Sequence, residues 1–332
     1  MSDIREALNE SILSLNGFDT SVNAQDILNQ WFDLIEQSKD DIIRLSEIDE
    51  KNDNGYLLDF SIIDSIKEDV LSIDDQYKKV VSMQKDSANV FVLGKEQDNL
   101  GIIGLIFDGN PYAMIELISK CVLTHNALII AQNEEYMKAT NEIFIKLLQK
   151  VLKNFNVSEH FVQNVFVGDF SDLLMNSVCI SKVFVVGDKD FQNSVVINSK
   201  IPVQTIGYGH HDLYIEDDTN LETIEKILNN SRNIDLYVKD GIEIDGKDTI
   251  MVQDLDDAIF LMNSTGSDYS ASIFTSSGEN GSRFLSEVKS NYVSVNSSPF
   301  IERYDLIDVK DLVKIKTAYY PLSFNSDLKL EF

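Results

Sequence analysis

Apolar residues recur at helical spacing throughout residues 3–85. The series Ile27–Ile35 and Ile62–Leu71 place apolar side chains three or four positions apart, which is typical of helices with one buried face. Asn23 or Asp26 is expected to cap the first of these helices, because short polar side chains accept hydrogen bonds from free backbone N–H groups there. We therefore predict a helical amino-terminal region.

Beyond residue 85, short apolar runs alternate with helical patterns. Strands are predicted at 89–94, 100–107, 127–131, 182–186, 194–197 and 203–206, and helices at 112–123, 134–155 and 170–175. The first two strands are expected to form a hairpin that leads into a buried strand. Strands that alternate with helices predict an α/β fold in which a parallel sheet is covered on both faces.

A second α/β unit is predicted to start near Asn229. Its strands are expected at 249–252, 269–275 and 292–295, and its helices at 255–262 and 277–289. The tail, residues 312–332, alternates apolar and polar residues over its first third. That pattern favours an edge strand, which is able to pair with another subunit.

The charge balance narrows the range of partners. The chain has 28 Lys and Arg against 55 Asp and Glu, for a formal net charge of -27. Such a surface repels nucleic acid and anionic membranes, because both are bound mainly through cationic side chains. The simplest interpretation is that the negative charge keeps the protein soluble, or that it reflects a composition adapted to low GC content or to salt. The alternative is a dedicated partner with a basic surface.

Two cysteines, Cys121 and Cys179, lie in apolar stretches and are expected to be buried thiols with packing roles. Their spacing is not that of a redox or metal motif, which indicates a reducing compartment. The amino terminus is polar and helical in pattern, unlike a signal peptide, and apolar runs are too short for a membrane span. We predict a cytoplasmic protein.

Several motifs occur in a familiar order. The apolar run Leu100–Phe107 precedes the turn Asp108–Tyr112, Asp254–Ile259 reads Asp-Leu-Asp-Asp-Ala-Ile, and Tyr292–Ser298 reads Tyr-Val-Ser-Val-Asn-Ser-Ser. Together with Ile201–Val203 and the glycines that follow, these motifs cover most of residues 95–320. In order and spacing, the chain resembles the gamma-glutamyl phosphate reductases of the aldehyde dehydrogenase superfamily.

The resemblance implies an aldehyde-dehydrogenase-like α/β fold in three parts. Residues 1–230 are expected to form the amino-terminal helices and a Rossmann-type cofactor domain, and residues 231–300 a shortened catalytic-type domain. Residues 301–332 are expected to form an oligomerisation tail. This implies a homodimer, or a heteromer with an active family member, and no nucleic-acid or membrane partner.

The resemblance breaks at the catalytic cysteine. Family chemistry needs a thiolate that attacks the carbonyl carbon before hydride exchange with NADP(H). In the family, the cysteine follows a helix that matches Ile224–Arg232, but the continuation Asn233–Asp240 contains none. The chain then reaches Asp254 sooner than the family does, which indicates a deletion around the nucleophile.

Only remnants of the family's binding positions remain. The resemblance places Asn110 at the oxyanion position, although a structural role in its turn is the simpler interpretation. The remnant cofactor positions are Gln132, Asn133, Gly187, Lys189, Gly207 and Gly209. Glu134 and Glu135 stand where the family carries a cation, and carboxylates there repel a phosphate. The adjacent His210 and His211 are expected to be solvated, so no metal is predicted.

These observations support a catalytically inactive homologue that acts by binding a protein or a ligand, with no cofactor expected. The alternative is a divergent oxidoreductase that uses NAD(P) on an aldehyde or acyl phosphate. A purely structural subunit is a third hypothesis.

Overall fold

A computed structural model provides the structure of the chain. It describes residues 2–18, 22–52, 55, 57–73, 80–85, 91–132, 136–166, 174–175, 178–187, 189–206, 211–217, 221–229, 234–242, 244, 246–265, 269–299 and 307–321. The chain forms two compact units. The first comprises residues 1–185, 195–204 and 303–332, and the second comprises residues 186–194 and 205–302.

Helices and strands alternate along most of the chain. The helices are α1 (Ser2–Asn16), α2 (Ala24–Gln37), α3 (Lys39–Lys51), α4 (Phe60–Leu71), α5 (Pro111–Leu123), α6 (Lys138–Asn154), α7 (Lys189–Asn198), α8 (Leu221–Asn229), α9 (Leu255–Thr265) and α10 (Gly278–Glu287). The strands are β1 (Val80–Lys85), β2 (Phe91–Asn99), β3 (Ile102–Phe107), β4 (Ala127–Gln132), β5 (Val162–Phe166), β6 (Ile180–Val186), β7 (Val203–Ile206), β8 (His211–Ile215), β9 (Ile234–Lys239), β10 (Ile250–Val252), β11 (Ser270–Phe274), β12 (Tyr292–Val295) and β13 (Val313–Pro321). Short 3₁₀ turns occur at Glu159–Phe161 and Val309–Leu312.

A five-stranded sheet in the order β5-β4-β3-β6-β7 contains the core strands of the first unit. Strands β3, β4 and β5 are parallel to one another. Every residue of β3 and β4 is buried, as expected for central parallel strands that are covered on both faces. The predicted parallel α/β sheet is confirmed.

The amino-terminal helices pack on this unit through their apolar faces. Asn23 caps α2 through a 2.9 Å hydrogen bond from the Gln25 N–H to its Oδ1, as predicted. Trp31 is fully buried, and its Nε1 donates to the Phe144 carbonyl at 3.0 Å. None of the helices in the described residues is long and apolar enough to cross a membrane.

A second five-stranded sheet, in the order β10-β9-β8-β11-β12, is parallel throughout. Successive residues of β8 point to opposite faces, because strand side chains alternate. Tyr214 therefore belongs to a core cluster with residues of α9 and α10. Leu213 belongs to a separate cluster with Ile224 of α8. Both faces of the sheet are thus covered by helices.

A three-stranded antiparallel sheet, in the order β1-β2-β13, joins early and late parts of the chain. Strand β13 pairs with β2 along its whole length, from Val313 opposite Asn99 to Pro321 opposite Phe91. The predicted edge strand in the tail is therefore confirmed for residues 313–321, and residues 322–332 lie outside the described part.

Some predicted elements are wrong. Ser194–Ile197 is helical within α7, and Val80–Lys85 is a strand within the region predicted to be helical. The predicted hairpin of the strands at 89–94 and 100–107 is wrong, because residues 91–99 form the single strand β2, which pairs with β1 and β13 and not with β3. Of the helix predicted at 170–175, residues 170–173 lie outside the described part.

The predicted boundary after residue 230 does not coincide with a limit of either unit. It falls between α8 and β9, and β8 and β9 are neighbouring strands of one sheet. Strands β8 and β9 were not among the predicted strands. The predicted functional labels of the domains stay predictions.

A buried ion pair in α5 holds the carboxy-terminal segment of the first unit. Lys120 Nζ lies 2.7 Å from Glu116 Oε1, and the two side chains are 2% and 1% exposed. Lys120 Nζ also donates to the Ile307 carbonyl at 2.5 Å, and the Ile307 N–H donates to Glu116 Oε1 at 3.0 Å. The segment at Ile307 therefore supplies one donor and one acceptor to the ion pair of a helix that is buried on all sides.

We expect Lys120→Met to lower the free energy of unfolding by about 3–5 kcal/mol, because it leaves Glu116 buried without its countercharge. Lys146→Met is the matched control, since Lys146 forms an exposed pair with Glu142 at the same helical spacing. This control substitution should lower the free energy of unfolding by at most about 0.5 kcal/mol. Urea denaturation of both variants measures the difference, and equal losses would contradict the assigned role.

Candidate functional site

The carboxyl ends of β3 and β4 form the candidate site of the first unit. In open α/β sheets, ligands bind outside the carboxyl ends of the strands where the strand order reverses. Here the order reverses at β3, which has β4 on one side and β6 on the other. Phe107 and Gln132 are register partners at the ends of β3 and β4. Asn110 follows two residues after Asp108, on the turn that leads into α5.

Asn110 is the N-cap of α5. Its Oδ1 accepts hydrogen bonds from the N–H groups of Tyr112 at 2.8 Å and Ala113 at 3.4 Å. Pro111 occupies the first helical position, where a missing N–H has no cost. The Asn110 side chain is buried, and its Nδ2 has no hydrogen-bond partner in the described residues. Asn110 therefore acts as the cap of α5, and its assignment to a remnant oxyanion position stays a prediction.

Gly109 lies under the turn that precedes α6. Its φ of 110° is in a region that favours glycine. A Cβ atom at this position would lie 2.6 Å from the Tyr136 carbonyl oxygen, so the turn sits directly against the glycine. Asn141 Nδ2 donates to the Gly109 carbonyl at 2.8 Å. The turn at Tyr136 and the first turn of α6 therefore pack directly against Gly109.

Gln132, one of the predicted cofactor positions, contributes to the same closure. It is fully buried, and its Nε2 donates to the Tyr136 carbonyl oxygen. Gln132 Oε1 and Asn141 Oδ1 are buried without a hydrogen-bond partner in the residues that the structure describes. An unsatisfied buried polar atom costs about 1–3 kcal/mol, so the closed turn carries an energetic penalty.

Electrostatics near the turn oppose an anion. The Asp108 carboxylate accepts a hydrogen bond from the Asn110 N–H at 3.1 Å. Burial and the charge of Asp108 raise the pKa of Tyr136, so its phenol stays protonated at neutral pH. A phosphate at this position would meet a carboxylate at close range.

The structure describes only some of the other predicted cofactor residues. Gly187 directly follows β6, and its carbonyl accepts a hydrogen bond from Gln192 Nε2 at 2.9 Å. Lys189 begins α7, and its side chain is not among those described. Asn133, Gly207 and Gly209 lie outside the described residues. Of the predicted set, Asn110 and Gln132 lie at the ends of the neighbouring strands β3 and β4.

In the second unit, a polar network lies at the carboxyl ends of β8 and β11. Glu216 accepts hydrogen bonds from the hydroxyl of Thr275 and, at 2.7 Å, from Asn280 Nδ2. Asn296 Oδ1 accepts from the Thr275 N–H at 2.9 Å. At the amino ends of the same strands, His211 Nδ1 lies 2.6 Å from Ser270 Oγ. His211 is buried in β8, so the expectation that it is solvated is wrong, and His210 lies outside the described residues. No group of three or more potential metal ligands occurs among the described residues.

The chain is similar to known proteins in sequence and in fold. No family model matches the chain. A gamma-glutamyl phosphate reductase of Dictyoglomus thermophilum is 26% identical over 60% of this chain and 51% of its own length. The corresponding protein of Clostridium perfringens is 23% identical over 83% of this chain and 80% of its own length. The chain thus spans about half the length of the Dictyoglomus relative.

Solved structures agree on the fold. Gamma-glutamyl phosphate reductase of Thermotoga maritima superposes with a TM-score of 0.67 at 16% identity, covering 95% of this chain and 97% of that one. Betaine aldehyde dehydrogenase of Staphylococcus aureus, in complex with NAD+, superposes with a TM-score of 0.73 at 12% identity, covering 100% and 89%. The chain is a homologue of gamma-glutamyl phosphate reductases with the aldehyde dehydrogenase fold.

The two cysteines of this homologue differ in environment. Cys121 is fully buried in α5, and burial raises the pKa of its thiol far above the usual range. Cys179 is partly exposed on the turn before β6, so the expectation that both thiols are buried is wrong for Cys179. A thiol becomes a nucleophile when a low pKa yields the thiolate, so Cys121 is unsuited to that role.

The residues that close the crevice, Gly109, Tyr136 and Asn141, were not predicted. Gly109 stands before a capping Asn and a Pro, which is a local turn signal. Asn141 has no such signal, because its contact with Gly109 joins positions 32 residues apart.

We expect Gly109→Ala to be more destabilising than Gly241→Ala. Both glycines have a positive φ, of 110° and 93°, and so share the conformational cost of a side chain, about 1–3 kcal/mol. A Cβ at Gly241 meets nothing within 4 Å, whereas one at Gly109 meets Tyr136. Overpacking should therefore lower the free energy of unfolding of Gly109→Ala by about 1–3 kcal/mol more than that of Gly241→Ala. Chemical denaturation of both variants measures the difference. Equal losses would show that the turn does not close on Gly109.

Proposed function

We propose that the chain is a non-catalytic homologue of gamma-glutamyl phosphate reductase that acts by binding. The observation that carries this proposal is the environment of its cysteines. Cys121 is sealed inside α5, and Cys179 lies on the turn that precedes β6. In sequence, the link between α8 and β9 consists of Asn230, Ser231, Arg232 and Asn233, without the nucleophile that the resemblance calls for.

The closed crevice supports the same proposal. A dinucleotide phosphate needs backbone N–H groups or cations within hydrogen-bond reach. In the described part of the crevice, the Tyr136 turn covers Gly109, and Asp108 presents a carboxylate. These residues do not fit a phosphate, so we expect no NAD(P) cofactor.

The test is an assay of the purified protein for NADP-dependent oxidation of glutamate semialdehyde and of simple aldehydes. An active relative from the same organism serves as the positive control. We expect no turnover above background, because an acyl transfer without a nucleophile loses its covalent step. Turnover that depends on the chain would end the proposal.

The second candidate is a divergent NAD(P)-dependent oxidoreductase. It is favoured by one observation, namely that fold neighbours such as the betaine aldehyde dehydrogenase are described in complex with NAD+. A calorimetric titration with NAD+ and NADP+ separates the candidates. Saturable binding of a nucleotide at about millimolar or tighter affinity supports the oxidoreductase. No detectable binding of either nucleotide supports the non-catalytic homologue.

We further propose that the sheet formed by β1, β2 and β13 mediates assembly, as a homodimer or as a heteromer with an active relative. Strand β13 is at one edge of this sheet. Its Ile315 and Tyr319 are 53% and 68% exposed, and they lie on one face because strand residues alternate. An exposed edge strand with apolar residues is suited to pairing with a second chain.

We expect the Ile315→Asp/Tyr319→Asp double variant to lose assembly, because charges on that face oppose its burial. Lys316→Gln, on the other face of β13, is the control. Light scattering coupled to size exclusion measures the mass of each protein, alone and after mixing with the active relative. A wild-type monomer under both conditions, or an assembled double variant, would rule out this interface.

A further inference from the structure

Strand β10 forms one edge of the second sheet in the part of the chain that the structure describes. It pairs with β9 in the parallel orientation. The Asp240 N–H donates to the Val252 carbonyl at 2.8 Å, so the hydrogen-bonding groups of Val252 face β9. Successive residues of a strand direct these groups to opposite sides, so the N–H and C=O of Met251 face away from the sheet.

The short connection between β9 and β10 explains why Met251 is exposed. Strands β8 and β9 are joined through α8, whereas residues 240–249 join β9 to β10, and no helix occurs in their described part. Parallel neighbours are usually connected through a helix, and a right-handed crossover would place a second helix on the face that α8 covers. Met251 points to that face, because the adjacent Val252 belongs to the cluster of α9 and α10 on the other face. Met251 is 51% exposed as a result.

Strand β10 lacks the protection that strands at sheet edges usually have. Lysine, proline and bulges commonly prevent such strands from pairing with another chain. Strand β13 contains Lys314 and Lys316, but β10 reads Ile-Met-Val. Ile250 is 40% exposed and lies on the opposite face from Met251. An added strand would therefore gain main-chain hydrogen bonds at Met251 and apolar contacts on both faces of the sheet.

Carboxylates surround this edge. Residues 239–257 contain seven Asp and Glu against two Lys, in a chain with a formal net charge of -27. Asp248 precedes β10, and Asp240 lies at its other end through the bond to Val252. Both aspartates are exposed, and neither forms an ion pair with a residue in the described part of the chain. Their charges therefore favour a partner with basic residues over a second acidic chain.

We propose that the edge of β10 binds an extended basic segment of a partner protein, which adds to the second sheet as a sixth strand. Apolar residues at the centre of the segment cover Ile250 and Met251, and lysine or arginine at its two ends lie near Asp248 and Asp240. Strand addition obtains its affinity from main-chain hydrogen bonds and its specificity from side-chain contacts. The surface belongs to the second unit and does not involve the crevice of the first, so turnover in the aldehyde assay would leave this proposal intact.

The test is a titration of a fluorescently labelled heptapeptide, Lys-Lys-Val-Ile-Val-Lys-Lys, with the whole protein, followed by fluorescence anisotropy. An extended segment of this length spans about 20 Å and reaches both ends of β10. We expect saturable binding at about 100 μM or tighter. The same peptide with N-methyl groups on its three central residues has the same charge but lacks their N–H donors. It should bind at least about tenfold more weakly.

Met251→Pro should weaken peptide binding at least about tenfold, because proline removes the outward N–H and is tolerated in an edge strand where that group faces solvent. Val293→Pro is the matched control on β12, the opposite edge of the sheet. Tyr292 and Asn296 donate their N–H groups toward β11, so the N–H of Val293 also faces away from the sheet. The control should leave the affinity unchanged. Circular dichroism checks that both variants fold.

The Asp240→Asn/Asp248→Asn double variant tests the charges without changing the backbone. It should weaken peptide binding about fivefold, because the lysines of the peptide lose two carboxylate partners. Asp40→Asn/Glu50→Gln is the control, since it removes the same charge from α3 in the first unit, and it should leave the affinity unchanged.

Absence of saturable binding to the wild type, equal binding of the N-methylated peptide, or unchanged binding to either β10 variant would each overturn the proposal. If Met251→Pro does not fold, the N-methylated peptide and the double aspartate variant decide. A wild-type dimer that Met251→Pro converts to a monomer in light scattering would assign the edge to a second copy of the chain and would also overturn the proposal.

Discussion

The enclosure of α5 is the constraint on which the first unit depends. This helix is buried on all sides, yet it contains Glu116 and Lys120, and two charges are costly in such a place unless every polar atom is engaged. Their contacts with Ile307 bring the late segment of the chain to the helix. Nearby, Asn126 Nδ2 donates to the Leu312 carbonyl at 2.8 Å, and Lys182 Nζ donates to the Asp311 carbonyl at 3.0 Å. Strand β13 starts directly after these anchors, so they fix the point at which the strand that pairs with β2 begins.

The same scaffold explains how a family fold is combined with a closed crevice. At the carboxyl ends of β3 and β4, Gln132 contacts the chain at Tyr136. One amide atom each of Asn110, Gln132 and Asn141 has no hydrogen-bond partner in the described part of the chain. Binding sites often retain such local penalties, because the surrounding structure stabilises them.

The sequence predicted those elements whose local pattern and tertiary environment agree. Strands β3 and β4 are uninterrupted apolar runs, and they are fully buried. Asn23 has the residue type of a cap and acts as one. The prediction failed at Val195–Ile197, where β-branched residues resemble a strand but Ile197 is 80% exposed on a helix. Strand β8 was missed because it starts with His211 and Asp212, which are polar although both are buried. Of the candidate site, the cap at Asn110 could be predicted, whereas its closure by Asn141 and Tyr136 could not, because it depends on contacts between distant segments.

The discontinuity of the first unit has a consequence for biosynthesis. Residues 303–332 belong to this unit, but the ribosome completes the entire second unit before it reaches them. Until Ile307 emerges, the nascent chain carries Lys120 and Glu116 without two of their native hydrogen bonds, and β2 lacks its neighbour β13. Domains usually fold as units during synthesis, amino-terminal first. In this chain the amino-terminal unit is the later one to be completed. All strands of the second unit have been synthesised before the first unit acquires β13.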